Sequence, residues 1–233
     1  MSPSNSEILA EMKDVLVQKK GKRILGPINM DIHKGEYIGI IGRNGSGKTT
    51  LLKSIMGITK IQKGQINVCE SGYVFQNPDN QIIGSTVFED MKFSVMNLGM
   101  APEEEETYTK KVLSEHSLYS LKDRDTLTLS GGQKQKLSLV SVVATRPKLL
   151  LLDEPFSMLD RIQRNNIQSL IDSLNTRGIT LVLAGIQLYD LIHCDRIILL
   201  EKGELVFDGK MGEVAENIEL FKKCGVLVPQ YIR

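Results

Sequence analysis

Three short stretches of this 233-residue chain carry residue types that together do phosphate chemistry. "GRNGSGKTT", residues 42–50, fits the pattern G-x-x-x-x-G-K-[ST] in full. Glycines at 42, 45 and 47 let the backbone curl until successive N–H groups point inward at phosphate oxygens. A helix opening near Gly47 adds the partial positive charge of its first turn. The cradle comprises Gly42, Arg43, Asn44, Gly45, Ser46, Gly47, Lys48, Thr49 and Thr50. Lys48 reaches the outer phosphates, and Thr49 offers its hydroxyl to Mg²⁺. The second stretch, "LLLLDE" (149–154), is an apolar run ending in two acids, which is expensive unless a cation or substrate sits at its tip. There Asp153 is suited to holding Mg²⁺ through water, and Glu154 to orienting or deprotonating an attacking water. The third, "LSGGQ" (129–133), places two glycines ahead of a helix, so that Ser130, Gly131 and Gly132, followed by Gln133, make a second anion-binding nest.

Each stretch has a plainer reading: a glycine turn with an accidental lysine, a buried strand that ends in acids, a serine N-cap. Their co-occurrence in this order argues against those readings. One chain then holds two phosphate cradles but one lysine of the first kind. Two copies arranged head to tail would let each nest close over the other's nucleotide.

The elements that must position these residues follow from periodicity. Residues 12–40 alternate like short β-strands, with "KKGKR" (19–23) as a solvated hairpin tip. "EYIGIIG" (36–42) is a short apolar strand running into the first cradle, and the helix beyond it buries Leu51, Leu52, Ile55 and Met56. Between about 77 and 130 the texture turns helical, with Val87, Met91 and Val95 on one face. A further helix opens at Pro102, where four acids suit the helix dipole better than a metal. "PKLLLLDEP" (147–155) reads as a strand buried on both faces. A helix over about 161–176, a strand over 179–184 and a strand over "DRIILLEKGELVFDG" follow. Strands alternating with helices predict an α/β fold: a parallel sheet covered on both sides, with an antiparallel β subdomain at the N-terminus and an inserted α-helical subdomain. The expected division of the single domain is about 1–76 and 134–215 for the core, 77–133 for the helical insert and 216–233 for a short tail.

Bulk properties narrow the function classes. A net charge of +1 gives no pull toward nucleic acid, and aromatics at 5% with no tryptophan argue against a stacking platform for single strands. Cys69, Cys194 and Cys224 form no metal-type pair and suit a reducing compartment. No apolar run approaches the roughly 20 residues of a spanning helix, and the N-terminus does not read as a signal peptide. Any membrane part must come from another chain.

Taken together, "LSGGQ" upstream of "LLLLDEPFSMLD" resembles the ATP-binding subunit of ABC transporters, over about residues 12–215. The resemblance implies a P-loop NTPase (RecA-like) core, ATP and Mg²⁺ as cofactors, and a nucleotide-sandwich dimer in which Lys48 faces Ser130 and Gly132 of the other subunit. It assigns to Gln76, in "YVFQNPD", a contact with Mg²⁺ and a role in sensing the membrane partner, so that Thr49, Gln76 and Asp153 surround the metal and Gln76 joins Glu154 in catalysis. It makes "SMLD" (157–160) the loop coupling the two sites. "FQNPDNQIIGSTVFEDMKFSVMNLGM" (75–100) and "ELFKKCGVLVPQ" (219–230) resemble more narrowly the ATPases of energy-coupling factor importers for vitamins and transition-metal ions. The partners so implied are a second ATPase subunit, a transmembrane coupling protein met through residues 77–95, and a substrate-capturing membrane subunit, at the cytoplasmic face of the membrane. A soluble ABC protein of DNA repair or translation would call for coiled-coil insertions or tandem cassettes, for which 233 residues leave no room.

Two departures bear on turnover. The family's histidine after the last core strand, which contacts the γ-phosphate, aligns with Ile186; Gln187 is one residue off, and His193 is a poor stand-in. The aromatic ring that would stack on adenine aligns near Lys19, whose aliphatic stem covers a ring less well. Two readings stay open: an ATPase subunit that powers import, or a nucleotide-holding half with a slowly hydrolysing site. The cargo and the choice between homodimer and heterodimer stay open too.

Overall fold

In this computed structural model, residues 7–229 are described. The extremes of the expected domain, 1–6 and 230–233, with Gln230 of the tail, lie outside the described residues.

β1 (Ile8–Lys19) and β2 (Lys22–His33) form an antiparallel hairpin whose tip places Lys20 and Gly21 at positive φ. These are two twelve-residue strands rather than the several short ones expected over 12–40. The register shifts along the pair let long strands absorb the breaks in alternation that had looked like turns. β3 (Tyr37–Ile41) runs through the loop 42–47 into α1 (Lys48–Ile55), which buries Leu51, Leu52 and Ile55 and leaves Met56 half-buried at its cap. β4 (Lys63–Val68) returns to pair with β1 and completes a three-stranded sheet, β2-β1-β4. β5 (Ser71–Val74) joins the main sheet instead.

The helical insert carries α2 (Val87–Met96) and α3 (Pro102–Glu115), and α4 (Gly131–Ala144) starts at its end and runs on into the core. Thr86 and Glu89 close a reciprocal capping box on α2, and Pro102 opens α3 as expected. Val87, Met91 and Val95 meet Val112, Leu113, Leu137 and Val140 in a core separate from the main one. The opposite side of α4 packs the main core through Leu139, so this helix belongs to both.

β6 (Leu149–Asp153), α5 (Arg161–Thr176), β7 (Thr180–Gly185), β8 (Arg196–Glu201), β9 (Glu204–Lys210) and α6 (Ile218–Lys223) complete the chain. The six-stranded sheet has the order β5-β6-β7-β3-β8-β9, parallel except for the last pair. The single strand expected over 195–209 is thus a hairpin, β8–β9, turned at Lys202 and Gly203, both at positive φ. The strands of the parallel sheet are buried on both faces, and their side chains divide by parity. Leu150, Leu152, Leu181 and Leu183 face α5 and α6, while Leu149, Leu151, Val182 and Ala184 face α1 and the antiparallel sheet. This order brings the C-terminal ends of β3 and β6 to one edge with β7 between them, so that the loop after Ile41 and the acids after Leu152 meet.

Candidate active site

Tight steric constraints shape the loop after β3. A Cβ on Gly42 would lie 2.3 Å from the Leu200 carbonyl oxygen. Gly47 sits at φ 112, in a region that side-chain-bearing residues avoid, and it opens α1 from there. Lys48, 4% exposed, folds back over the loop and donates to the carbonyl of Gly42 at 2.9 Å. Its ammonium lies 3.3 Å from Glu154 Oε1. The other carboxylate oxygen, Oε2, accepts from Gln76 Nε2 at 2.9 Å. Glu154 therefore sits between Lys48 and Gln76, held there by a backbone at φ 47. A left-handed non-glycine residue costs on the order of 1 kcal/mol, a strain that clusters at functional sites.

Asp153 is buried and uses both oxygens. Thr49 Oγ1 donates to Oδ1 at 3.0 Å and the Tyr73 hydroxyl to Oδ2 at 2.7 Å. Burial first, and then the carboxylate it serves, push the Tyr73 phenol well above its ordinary value, so it remains a donor. Tyr73 is a residue that sequence reasoning missed. It lies in a four-residue strand with no motif, and only its position three before Gln76 hints at a common edge. For a divalent cation, Thr49 and Asp153 supply hard oxygens side by side. Among the described residues no group of three or more His, Cys, Asp or Glu forms a cage of its own. That donor set fits Mg²⁺, which takes one or two protein oxygens and fills its octahedron from phosphates and water.

A cavity of about 620 Å³ is lined by Asn44, Gly45, Lys48, Thr49, Gln76 and Glu154, with Gly47 and Thr50 beside them, while Asp153 and Tyr73 lie outside its lining. Gly42, Arg43 and Ser46 lie outside its lining. The Arg43 side chain turns toward Gly225, and Ser46 is buried with its hydroxyl unpartnered. Lys19 and Ile24 stand at the cavity where adenine stacking was expected, and among the described residues no aromatic ring lines it. Ile186 also lines it, at the place aligned with the missing histidine. Gln187 lines a smaller neighbouring cavity of about 150 Å³, together with Arg164 and Asp190, which are ion-paired. Burial raises the Asp190 carboxyl despite that arginine. His193 is placed elsewhere, with Nδ1 3.2 Å from Asp172, and does not line the large cavity.

The second nest stands apart. Ser130 caps α4, its hydroxyl accepting from Gln133 N at 3.3 Å while Gln133 Oε1 accepts from Ser130 N at 3.0 Å. Gly132 is pressed by Gln163 of α5, where an added Cβ would lie 2.7 Å away. Around Gly131 a Cβ would meet only the Met158 carbonyl, at 4.0 Å. Nothing among the described residues requires glycine there. None of residues 129–133 lines the cavity that holds Lys48. Between nest and cavity runs the loop 157–160: Ser157 lines the cavity, Met158 faces Gly131, and Asp160 caps α5.

The ABC transporter family matches residues 25–157. An energy-coupling factor transporter ATP-binding protein, EcfA1 of Caldanaerobacter subterraneus, is 38% identical over 229 residues, covering 91% of this chain and 83% of that protein. The EcfA1 protein of Clostridioides difficile is 35% identical over 218 residues, covering 87% and 79%. Among solved structures, cbiO1 from Clostridium perfringens, described as part of the ABC transporter complex cbiONQ, matches with a TM-score of 0.82. It is 29% identical, over 93% of this chain and 94% of that one. A nucleotide-free ATP-binding cassette from an ABC transporter matches equally well in fold, with a TM-score of 0.82 at 22% identity, covering 94% of this chain and 98% of that one.

Proposed function

The chain belongs to the ABC transporter family, and from that premise we propose that it is the ATP-hydrolysing subunit that energises an energy-coupling factor importer of vitamins or transition-metal ions. One observation carries the catalytic part. The Glu154 carboxylate is held between Lys48 Nζ at 3.3 Å and Gln76 Nε2 at 2.9 Å, at the wall of a cavity floored by a glycine loop and a helix start. ATP binds with its phosphates on the amides of residues 42–50 and on Lys48. Thr49 and Asp153, with Gln76 adjoining, would hold Mg²⁺, which would supply positive charge to the outer phosphates. Tyr73 and Thr49 fix the Asp153 carboxylate in orientation. Glu154 accepts a hydrogen bond from the attacking water, and Gln76 holds Glu154 against rotation.

The nest at 129–133 serves a second ATPase subunit. Gly131 has open space above it and no reason for being glycine inside this chain, as a surface awaiting another molecule's phosphates would. Closing two such chains over two nucleotides, and parting them after hydrolysis, is the stroke delivered to the membrane. No helix among the described residues is long and apolar enough to cross a bilayer. The chain works instead at the cytoplasmic face, against a transmembrane coupling protein and a substrate-capturing subunit. Ile83, Phe93 and Met96, all more than half exposed within or beside residues 77–95, are the apolar footing for that contact. We assign residues 77–133 to the insert and 216–233 to the tail.

The reading as a nucleotide-holding half is not favoured, since Glu154 keeps both of its partners. Glu154→Gln in this chain alone, within the assembled complex, tests the proposal: ATP still binds, and turnover from this chain's site is lost. Full turnover in the Glu154→Gln variant would remove Glu154 from the chemistry.

A further inference from the structure

The cavity that holds Lys48 is closed in part by the β1–β2 hairpin, which supplies Lys19 and Ile24 to its wall. The hairpin is tied to the phosphate loop. A Cβ on Gly47 would lie 3.2 Å from Leu25 Cδ1 and 3.5 Å from the Ile24 carbonyl oxygen. Gly203 N donates to the Ser46 carbonyl at 2.8 Å, and the Gly203 carbonyl accepts from Gly26 N at 2.7 Å. Ile24 is thereby held beside the start of α1. Lys19, which pairs with Lys22 at the end of the hairpin, meets the same cavity. Its surroundings are bare. Arg23 on the same hairpin pairs with Glu204 at 2.6 Å, but among the described residues no ion pair or hydrogen bond holds the Lys19 ammonium. The only acid that lines the cavity among those residues is Glu154, which already faces Lys48.

A triphosphate seated on Lys48 leaves its base to the hairpin side of the wall. Ile24 and the stem of Lys19 offer apolar surface there. The ammonium offers three donors and no acceptor. That chemistry is not neutral between purines. Guanine presents two adjacent acceptors, O6 and N7, whereas adenine sets an amine, itself a donor, beside N7. An aromatic ring would be blind to the difference, because every base has a face on which to stack.

We propose that Lys19 is a specificity-determining residue, and that this chain's own site takes guanosine triphosphate in preference to ATP. The proposal deepens the function given above and rests on its reading of the cavity as a nucleoside triphosphate site. ATP still binds, on the same amides and on Lys48. The preference is modest because Lys19 is exposed, and water competes for its donors. It falls at the low end of what a lysine on a guanine edge supplies, about fivefold.

Calorimetry on the isolated chain with Mg²⁺ tests this, using ATP, guanosine triphosphate and inosine triphosphate. The inosine nucleotide keeps O6 and N7 and lacks the 2-amino group. In the wild type the guanosine and inosine nucleotides bind alike, each about fivefold more tightly than ATP. Lys19→Met keeps the stem, removes the charge and brings all three within about twofold of one another. Lys19→Tyr supplies a ring, so the affinities for all three rise together, by about fivefold or more. Both changes fall at an exposed strand end and leave the fold intact. Three results each overturn the role of Lys19 and leave the triphosphate site standing: ATP bound as tightly as guanosine triphosphate, a guanosine preference that inosine triphosphate does not share, or a preference that survives Lys19→Met. A wild-type chain that binds none of the three overturns the proposed function and this proposal with it.

Discussion

The two phosphate nests of this chain are built to opposite plans. The loop 42–50 is walled in by its own fold: Lys48 is almost fully buried, Gly42 has no room for a side chain, and Thr49, Asp153 and Tyr73 are joined by hydrogen bonds. The nest at 129–133 is exposed at Ser130 and Gly131, its cap is satisfied by Gln133, and space is open above it. The first holds its ligand with parts the chain already owns. The second contributes a surface and leaves the rest to another molecule. Substitutions in the first should therefore act on the isolated chain, and substitutions in the second only on the assembly.

The largest expected effect tests the first half of that contrast. Lys48→Ala removes the ammonium that faces the outer phosphates and leaves Glu154 at a nearly buried position with its cation gone. A positioned charge of this kind is worth about 10² to 10³ in rate. Calorimetry on the isolated chain should show ATP affinity falling sharply, and the assembled complex should lose turnover at this site. Unchanged affinity would mean the loop does not grip phosphate.

Next in size is a gain. Ile186 lines the cavity that contains Lys48 and Glu154, and it is the residue that the sequence resemblance aligns with the family's histidine. Ile186→His should raise hydrolysis at this chain's own site by roughly tenfold, a fraction of what a preorganised donor supplies. The measurement is single-turnover hydrolysis in a complex whose other site is disabled. A rate that does not move would show that the donor is supplied from elsewhere.

Why these residues were legible, and others not, has a physical reason. Glycines at fixed spacing, a lysine beside a threonine and a pair of acids closing an apolar run are costly unless they meet a charged ligand, so they stand out before any fold is known. Two of the parallel strands are legible for a similar reason: "LLLLD" and "TLVLA" are buried on both faces and carry almost nothing polar. β4 was not legible. Five of its six residues are exposed, and "KGQINV" has no apolar face to betray it. The β8–β9 turn is hidden because Lys202 and Gly203 interrupt an apolar pattern that resumes at Leu205. Tyr73 acts through a single hydrogen bond to a group 80 residues away, and nothing local marks such a partner.

Gly131→Ala separates the nests most cleanly. With nothing but a carbonyl at 4.0 Å to meet, the new methyl group fits, and an alanine in a helix is favoured over glycine by up to about 1 kcal/mol. The isolated chain should melt slightly higher and bind ATP as before, while the assembled complex turns over more slowly. Weaker binding or lower stability in the isolated chain would mean that the nest belongs to this chain's own fold after all.

The smallest effect concerns the lobe that carries the second nest. Burial, then the nearby Arg177, lower the His116 pKa below its ordinary value of 6.5, against the opposing pull of Glu115; Lys136 adds to the lowering. The folded state thus prefers the neutral ring. Unfolding takes up a proton wherever the pH lies below 6.5 but above the folded value. The stabilisation is complete above 6.5 and is lost as the pH falls through that window. Acid should therefore loosen the insert, where His116 caps α3, before it reaches the sheet that holds the first nest. Exchange in α3 and α4 should rise below pH 6.5 while β3 and β6 stay protected, and His116→Gln should flatten the rise. If both lobes soften together, they form one cooperative unit, and the independence of the two nests is confined to their ligands.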